Sequence, residues 1–233
     1  MRIRAGVVGI IVAVTAILSA CQPSNSTPSA IQASGSPVAH RGSPTPTPEP
    51  TPPALAVQKV GAVATPSGFT AFAVVENPSG QTATGVNVQI TALGPGGQVL
   101  TRRSGTIPMI GPGQREAMAL LFPVGRTLPS QFSGSVVGVR WSAVPTADGA
   151  QVVGASFVQD ARTPSVRVHL ISHAQGAERV AVTAICWDAA ANIRGGGSRT
   201  VMVGPEPKGH DVTIDVAIST MPASCDAFGI SSS

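Results

Sequence analysis

The chain has no tyrosine, only two lysines, and eight aromatic residues in a length of 233. Charged side chains make up 11% of it, against ~25% in a typical globular chain. That scarcity excludes acidic or basic tails. The 15 basic residues exceed the 11 acidic ones by a small margin, and Arg2 and Arg4 fall in a segment expected to be removed, which leaves 13 against 11. An excess of that size, with no basic run, gives no footprint for nucleic acid. Also missing is any sustained 3.6-residue hydrophobic period, the mark of amphipathic helices. Present instead are 26 glycines and 21 prolines, which favour turns and short strands.

Long apolar runs are scarce too. The one at Ala5–Ile17, interrupted only by Thr15, is well short of the ~20 residues a spanning helix needs. It follows Arg2 and Arg4 and precedes Leu18-Ser19-Ala20-Cys21, the layout of an export signal. The last four residues resemble the bacterial lipoprotein box, a Leu and two small residues before a Cys. The resemblance implies cleavage between Ala20 and Cys21, a diacylglycerol thioether on Cys21, and a new amine open to acylation. A cysteine suits this chemistry because its thiolate is the nucleophile. Two or more acyl chains make a stable anchor. The alternative is an ordinary signal peptide with an incidental cysteine.

We therefore expect a lipoprotein signal peptide over 1–20 and a lipidated, disordered tether over 21–54. Runs such as Ser43-Pro44-Thr45-Pro46-Thr47-Pro48 offer nothing to a core. Extended as polyproline II, a tether of this length reaches roughly 100 Å. The membrane, through the Cys21 lipid, is the first partner. The expected location is the extracytoplasmic side of the cell membrane.

Beyond the tether the chain says the same thing twice. Val86, Val88, Ile90 and Ala92 alternate with Asn87, Gln89 and Thr91, ahead of the turn Gly94-Pro95-Gly96-Gly97; Val180, Val182, Ala184 and Cys186 alternate likewise, ahead of Asp188-Ala189-Ala190-Ala191-Asn192. The offset is 94 residues. Alternation of this kind marks half-buried strands. Around each copy, strands recur with turn signals every 8–12 residues or so, the pattern of a sandwich or barrel. The fold class expected is all-β: two tandem antiparallel β-sandwiches over 55–145 and 150–230, each with its own core. A break within 144–150 is expected to leave two folded halves. A duplication this long and this few-membered is not a solenoid.

Val180–Arg194 resembles bacterial extracytoplasmic domains named for a Phe-x-Leu-Tyr-Asp signature. Ile185-Cys186-Trp187-Asp188 stands where that signature ends, with Trp187 for the Tyr. In the first copy Leu93-Gly94 replaces the aromatic-Asp pair. Asn77, followed by a turn and an alternating strand, fits the same family's opening. The resemblance implies immunoglobulin-like sandwiches on exported or lipid-anchored proteins. It implies no activity, since the family has no shared catalytic residues.

Candidates for chemistry are few. His169 and His173 lie four apart on or beside one strand, and with His210 they are weak candidates for a metal site. Half-buried or solvated histidines are the better reading, and no cofactor is expected. Asp188 is expected to cap the turn 188–192. Gly195-Gly196-Gly197-Ser198 lacks the lysine and helix of a phosphate loop, and no serine sits in a nucleophile elbow. Arg102-Arg103 reads as a solvated strand end, and Trp141 and Trp187 as core or sheet-face residues. Cys186 and Cys225 remain once Cys21 is lipidated, and export places them where disulfides form. They align with the apolar Ala92 and Phe132. We expect them to pair between two strands of the second sandwich, with a bridge across its sheets as one geometry; two buried free thiols are the alternative. The function expected is non-enzymatic: a binding or envelope-assembly module facing an envelope protein or polysaccharide. A structural spacer, and an enzyme or solute-binding lipoprotein, are the other readings.

Overall fold

The computed structural model describes residues 54–123, 125, 127–143, 149–159, 163–206 and 208–232. The expected signal peptide, with Ala20 and Cys21, and nearly all of the tether lie outside these residues. The described chain is all β. The first repeat gives β1 (Ala56–Thr65), β2 (Gly68–Glu76), β3 (Thr82–Leu93), β4 (Val99–Ile110), β5 (Arg115–Pro123) and β6 (Gln131–Ser142). The second gives β7 (Gln151–Val158), β8 (Ser165–Ile171), β9 (Glu178–Trp187), β10 (Ile193–Val203), β11 (His210–Asp215), β12 (Ala217–Ile218) and β13 (Ser224–Ser232).

Every described ladder is antiparallel. The first repeat forms sheets ordered β1-β2-β5 and β4-β3-β6; the second forms β11-β8-β7 and β12-β10-β9-β13. Apart from the two-residue β12, the second pair of sheets repeats the first strand for strand. The match extends to single hydrogen bonds. Gly94 donates to the Gln98 carbonyl and Gly97 to that of Gly94; 94 residues on, Asp188 donates to Asn192 and Ala191 to Asp188. Residues 97 and 191 both take a left-handed backbone, at φ +77° and +56°. In the first copy a glycine sits there at no steric cost, whereas in the second it is an alanine.

Each repeat has its own core, made by the inward phase of its strands. Val86, Val88, Ile90 and Ala92 of β3 pack with Ala71, Ala73 and Val75 of β2 and with Ile107, Ile110 and Phe122. Val180, Val182, Ala184 and Cys186 of β9 pack with Val166, Val168 and Leu170 of β8 and with Ile214. Asn77 ties the turn after β2 to the turn after β4. Its fully buried amide donates to the carbonyls of Gln81, Ile110 and Gly111, and its Oδ1 accepts from the backbone and hydroxyl of Ser79. Burial of an amide on this scale is tolerated because its polar atoms find partners.

A third apolar cluster joins the repeats. Val63, Phe72, Val74 and Ala117 of the first close on Ile185, Ile193 and Phe228 of the second. β2 and β9 are consequently buried on both faces over their central residues, like strands of a sheet covered on each side. The order of layers is β4-β3-β6, β1-β2-β5, β10-β9-β13, β7-β8-β11. Gly196 shows how close the approach is: a Cβ there would lie 2.7 Å from Cζ of Phe72 and 2.5 Å from the Ala184 carbonyl oxygen. Gly196 therefore serves close packing at the joint, whereas Gly195 and Gly197 make room for the Ala217 and Asp215 carbonyls of their own repeat. The sequence reading gave each repeat a separate core; the structure adds a shared one.

The contact is head to tail, because β2 of one repeat meets the sheet of β9 in the next. Such an interface extends indefinitely unless the outer faces differ, and here they do. On the outer face of β3, Asn87, Gln89 and Thr91 occupy the positions that are Ala181, Thr183 and Ile185 in β9. On β8, Arg167 and His169 occupy those of Phe72 and Val74 in β2, counting from the equivalent turns at Asn77–Ser79 and Ser172–Ala174. Polar end faces of this kind cap a stacked array.

Candidate functional site

Cys186 and Cys225 form a disulfide, with Cα atoms 4.0 Å apart. They are register partners on β9 and β13, as Ala92 and Phe132 are on β3 and β6. The bridge thus lies within one sheet, which corrects the cross-sheet geometry considered above. Neighbouring antiparallel strands put directly opposed side chains on the same face, and here that face is the core of the second repeat.

The three histidines do not converge. Nδ1 of His169 is hydrogen-bonded to Oδ1 of Asp211 at 2.7 Å on the exposed face of β8 and β11. His210 is in phase with Val212 and Ile214, which pack into the core, and its Nε2 lies 3.1 Å from the Gly204 carbonyl oxygen. His173 is exposed after β8. Because side chains alternate along a strand and His210 pairs with Leu170 while Asp211 pairs with His169, His169 and His210 project from opposite faces. Among the described residues no three potential ligands assemble around a common point.

Asp188 does cap its turn. Its Oδ1 accepts from the backbone of Ala190 at 2.9 Å and of Asn192 at 2.8 Å, and Oδ2 accepts from Nε of Arg194 at 2.8 Å. The Asn192 backbone hydrogen bond, helped by the Asn192 side chain and Arg194, holds the carboxyl well below the usual carboxylate range. In the first repeat the amide equivalent to that of Ala190 belongs to Gly96, and the Gln98 side chain accepts from it. One turn is thus held by two different side chains. Trp187 is half-buried at the joint and donates its indole N–H to Oδ2 of Asp226 at 3.1 Å; Trp141 packs against the first core.

Two cavities stand out. One, of about 400 Å³, has largely apolar walls, including Phe69, Leu100 and Phe122, with Arg103 beside them. The other, of about 410 Å³, lies where the repeats meet. It is lined from β4 (Met109), β5 (Arg115, Glu116), β7 (Gln151, Val152) and β13 (Ala227–Ser231). All four are edge strands of their sheets, so the cavity sits among strand edges as well as side chains. Oε2 of Glu116 is buried and has no hydrogen-bond partner. Burial pushes the Glu116 carboxyl up to about 8, opposed by a hydrogen bond from the Ala117 backbone.

The sequence reading missed this group and took Glu116 only as the start of a strand. Its one signal is a lone carboxylate at the head of the apolar run Ala117–Phe122. No protein-family model matches the chain, and no curated protein matches it. The functional reading therefore rests on the residues and their geometry.

Proposed function

We propose that the chain is a lipid-anchored extracytoplasmic protein that presents two stacked β-sandwiches as a non-enzymatic binding or envelope-assembly module. In this reading residues 1–20 are the signal peptide, Cys21 carries the lipid, 21–54 form the stalk, and 55–145 and 150–230 are immunoglobulin-like domains akin to the Phe-x-Leu-Tyr-Asp type. The observation that carries it is the Cys186–Cys225 disulfide. Such bridges persist outside the reducing cytosol, which supports export independently of the N-terminal residues. The strand order repeated in both halves supports the immunoglobulin-like reading.

The non-enzymatic reading has its own support. Among the described residues, the ion pairs His169 with Asp211 and Asp188 with Arg194 lie on a sheet face and a hairpin tip. Neither pair lines either cavity. Paired catalytic groups act inside a concave site. Crosslinking in the native envelope tests the proposal. The expected result is capture of a specific envelope protein or polysaccharide by the wild-type chain. A chain that captures nothing at any crosslinker length, or fractionates with the cytosol, overturns it.

A further inference from the structure

We propose that the cleft between the two repeats binds a primary ammonium group, with Glu116 as its counter-ion. The site deepens the binding-module reading and rests on it. Anchoring is tested separately at Cys21, so failure of one result leaves the other standing.

A buried carboxyl oxygen without a partner is costly, and Oε2 of Glu116 is such an atom. Glu116 lines a cavity of about 410 Å³, within the range of small-ligand sites, with Oε2 itself turned away from the accessible space. Both repeats wall the cavity, so its shape depends on their joint. Edge strands β4, β5, β7 and β13 border it, and strand edges offer carbonyl acceptors for the remaining ammonium protons. A primary ammonium has three donors and one positive charge. Once the Glu116 side chain rotates to present Oε2 to the cavity, the ammonium satisfies the orphan oxygen and neutralises the carboxylate together.

Other charged groups are few. Arg115 lines the same cavity and is exposed, and Glu76 is its register partner on β2. From the second repeat, Glu178 stands near the rim, with Oε2 3.9 Å from where a Cβ on Gly149 would lie. Among these groups Glu116 is the one with a buried, unpartnered carboxyl oxygen. The chemistry then balances in one step: Glu116 gives its proton to solvent as the ammonium, already protonated, takes up the ion pair. With burial holding the carboxyl at about 8 in the free protein, binding at pH 7 releases most of a proton per site. Affinity rises about tenfold per pH unit below 8 and levels off above it.

Two sources share this chemistry: a free amine, or a lysine side chain on an extended peptide that also pairs with a strand edge. Titration calorimetry on the full chain distinguishes them, using pentane-1,5-diamine and the peptide acetyl-Ala-Lys-Ala-amide in two buffers of different ionisation enthalpy. The expected result is saturable binding of at least one probe with net proton release. Both probes, or the diamine alone, identify the ammonium as sufficient; the peptide alone identifies a strand-pairing ligand. Glu116→Gln should keep the fold, because it removes a buried ionisable group, and should weaken binding at least tenfold. Absence of binding by both probes, binding without proton release, or wild-type affinity in a folded Glu116→Gln chain each overturns the proposal.

Discussion

Phe72 sits on the first repeat but faces away from that repeat's core. Ala71 and Ala73, its neighbours along β2, point into that core. Phe72 itself is fully buried beside Ile185, Ile193 and Phe228 of the second repeat, close over Gly196. On an isolated sandwich this position would be surface, and truncating it would change stability by less than about 0.5 kcal/mol. In the joint, Phe72→Ala removes a buried aromatic ring and should cost about 3–5 kcal/mol. The cost should fall on both repeats, since the cavity opens between them. Phe72→Arg imports the residue that caps the equivalent position, Arg167, and should uncouple the repeats. The chain supplies its own probes: with no tyrosine and two tryptophans, Trp141 on β6 reports the first repeat and Trp187 on β9 the second. Urea unfolding is followed by fluorescence in Trp141→Phe and Trp187→Phe backgrounds, each compared only with itself. The two probes should give coincident transitions, lowered together by Phe72→Ala and separated by Phe72→Arg. A loss below about 0.5 kcal/mol, or a shift seen by Trp141 alone, would refute the shared joint.

Ala191 is the one non-glycine residue at positive φ among those described, and Ala191→Gly should stabilise the chain by about 0.5–1 kcal/mol, the left-handed penalty less the added freedom of the unfolded chain; an unchanged or lower melting temperature contradicts it. Reducing the Cys186–Cys225 bridge, whose partners are 39 residues apart, should cost up to about 4 kcal/mol, and Cys186→Ala with Cys225→Ala should abolish the effect of reductant. Glu116 makes stability fall with pH. Its carboxyl stands at about 8 in the folded chain against 4.5 for the unperturbed group, so the stabilisation is complete below about 4.5 and is lost as pH rises through about 8. The loss is on the order of a few kcal/mol between pH 5 and 9. Urea titrations should show that slope in the wild type and a flatter one in Glu116→Gln, and a flat wild-type profile would contradict it.

Strand alternation and the 94-residue repeat made most of the fold legible, because each is a local pattern with one physical meaning. Val86–Ala92 and Val180–Cys186 face inward as the alternation requires. The pairing of Cys186 with Cys225 was legible from their being the two cysteines left beside Cys21, from the expected export, and from their alignment with the inward-facing Ala92 and Phe132. What stayed hidden was which outward faces meet. Phe72 and Val74 are apolar on a strand already apolar on its other side, a sign of two-sided burial, but a run this short carries no address for its partner. The mismatch between Ile185 and Thr91 at equivalent positions was the available signal for the joint. Glu116 was hidden for a different reason. Its perturbation comes from burial in a cavity walled by the preceding strand β4 and by β7 and β13, which are distant in sequence, and a carboxylate at a strand end is ordinary until those strands are in place.

The proposed export to the membrane as a lipoprotein turns on Cys21. The most direct measurement is incorporation of labelled fatty acid into the wild-type chain and into Cys21→Ser, with membrane fractionation of both. The expected result is label on the wild type, none on Cys21→Ser, and a variant that either leaves the membrane or stays unprocessed. A wild-type chain that takes up no label, or a Cys21→Ser chain labelled as strongly as the wild type, would contradict the claim.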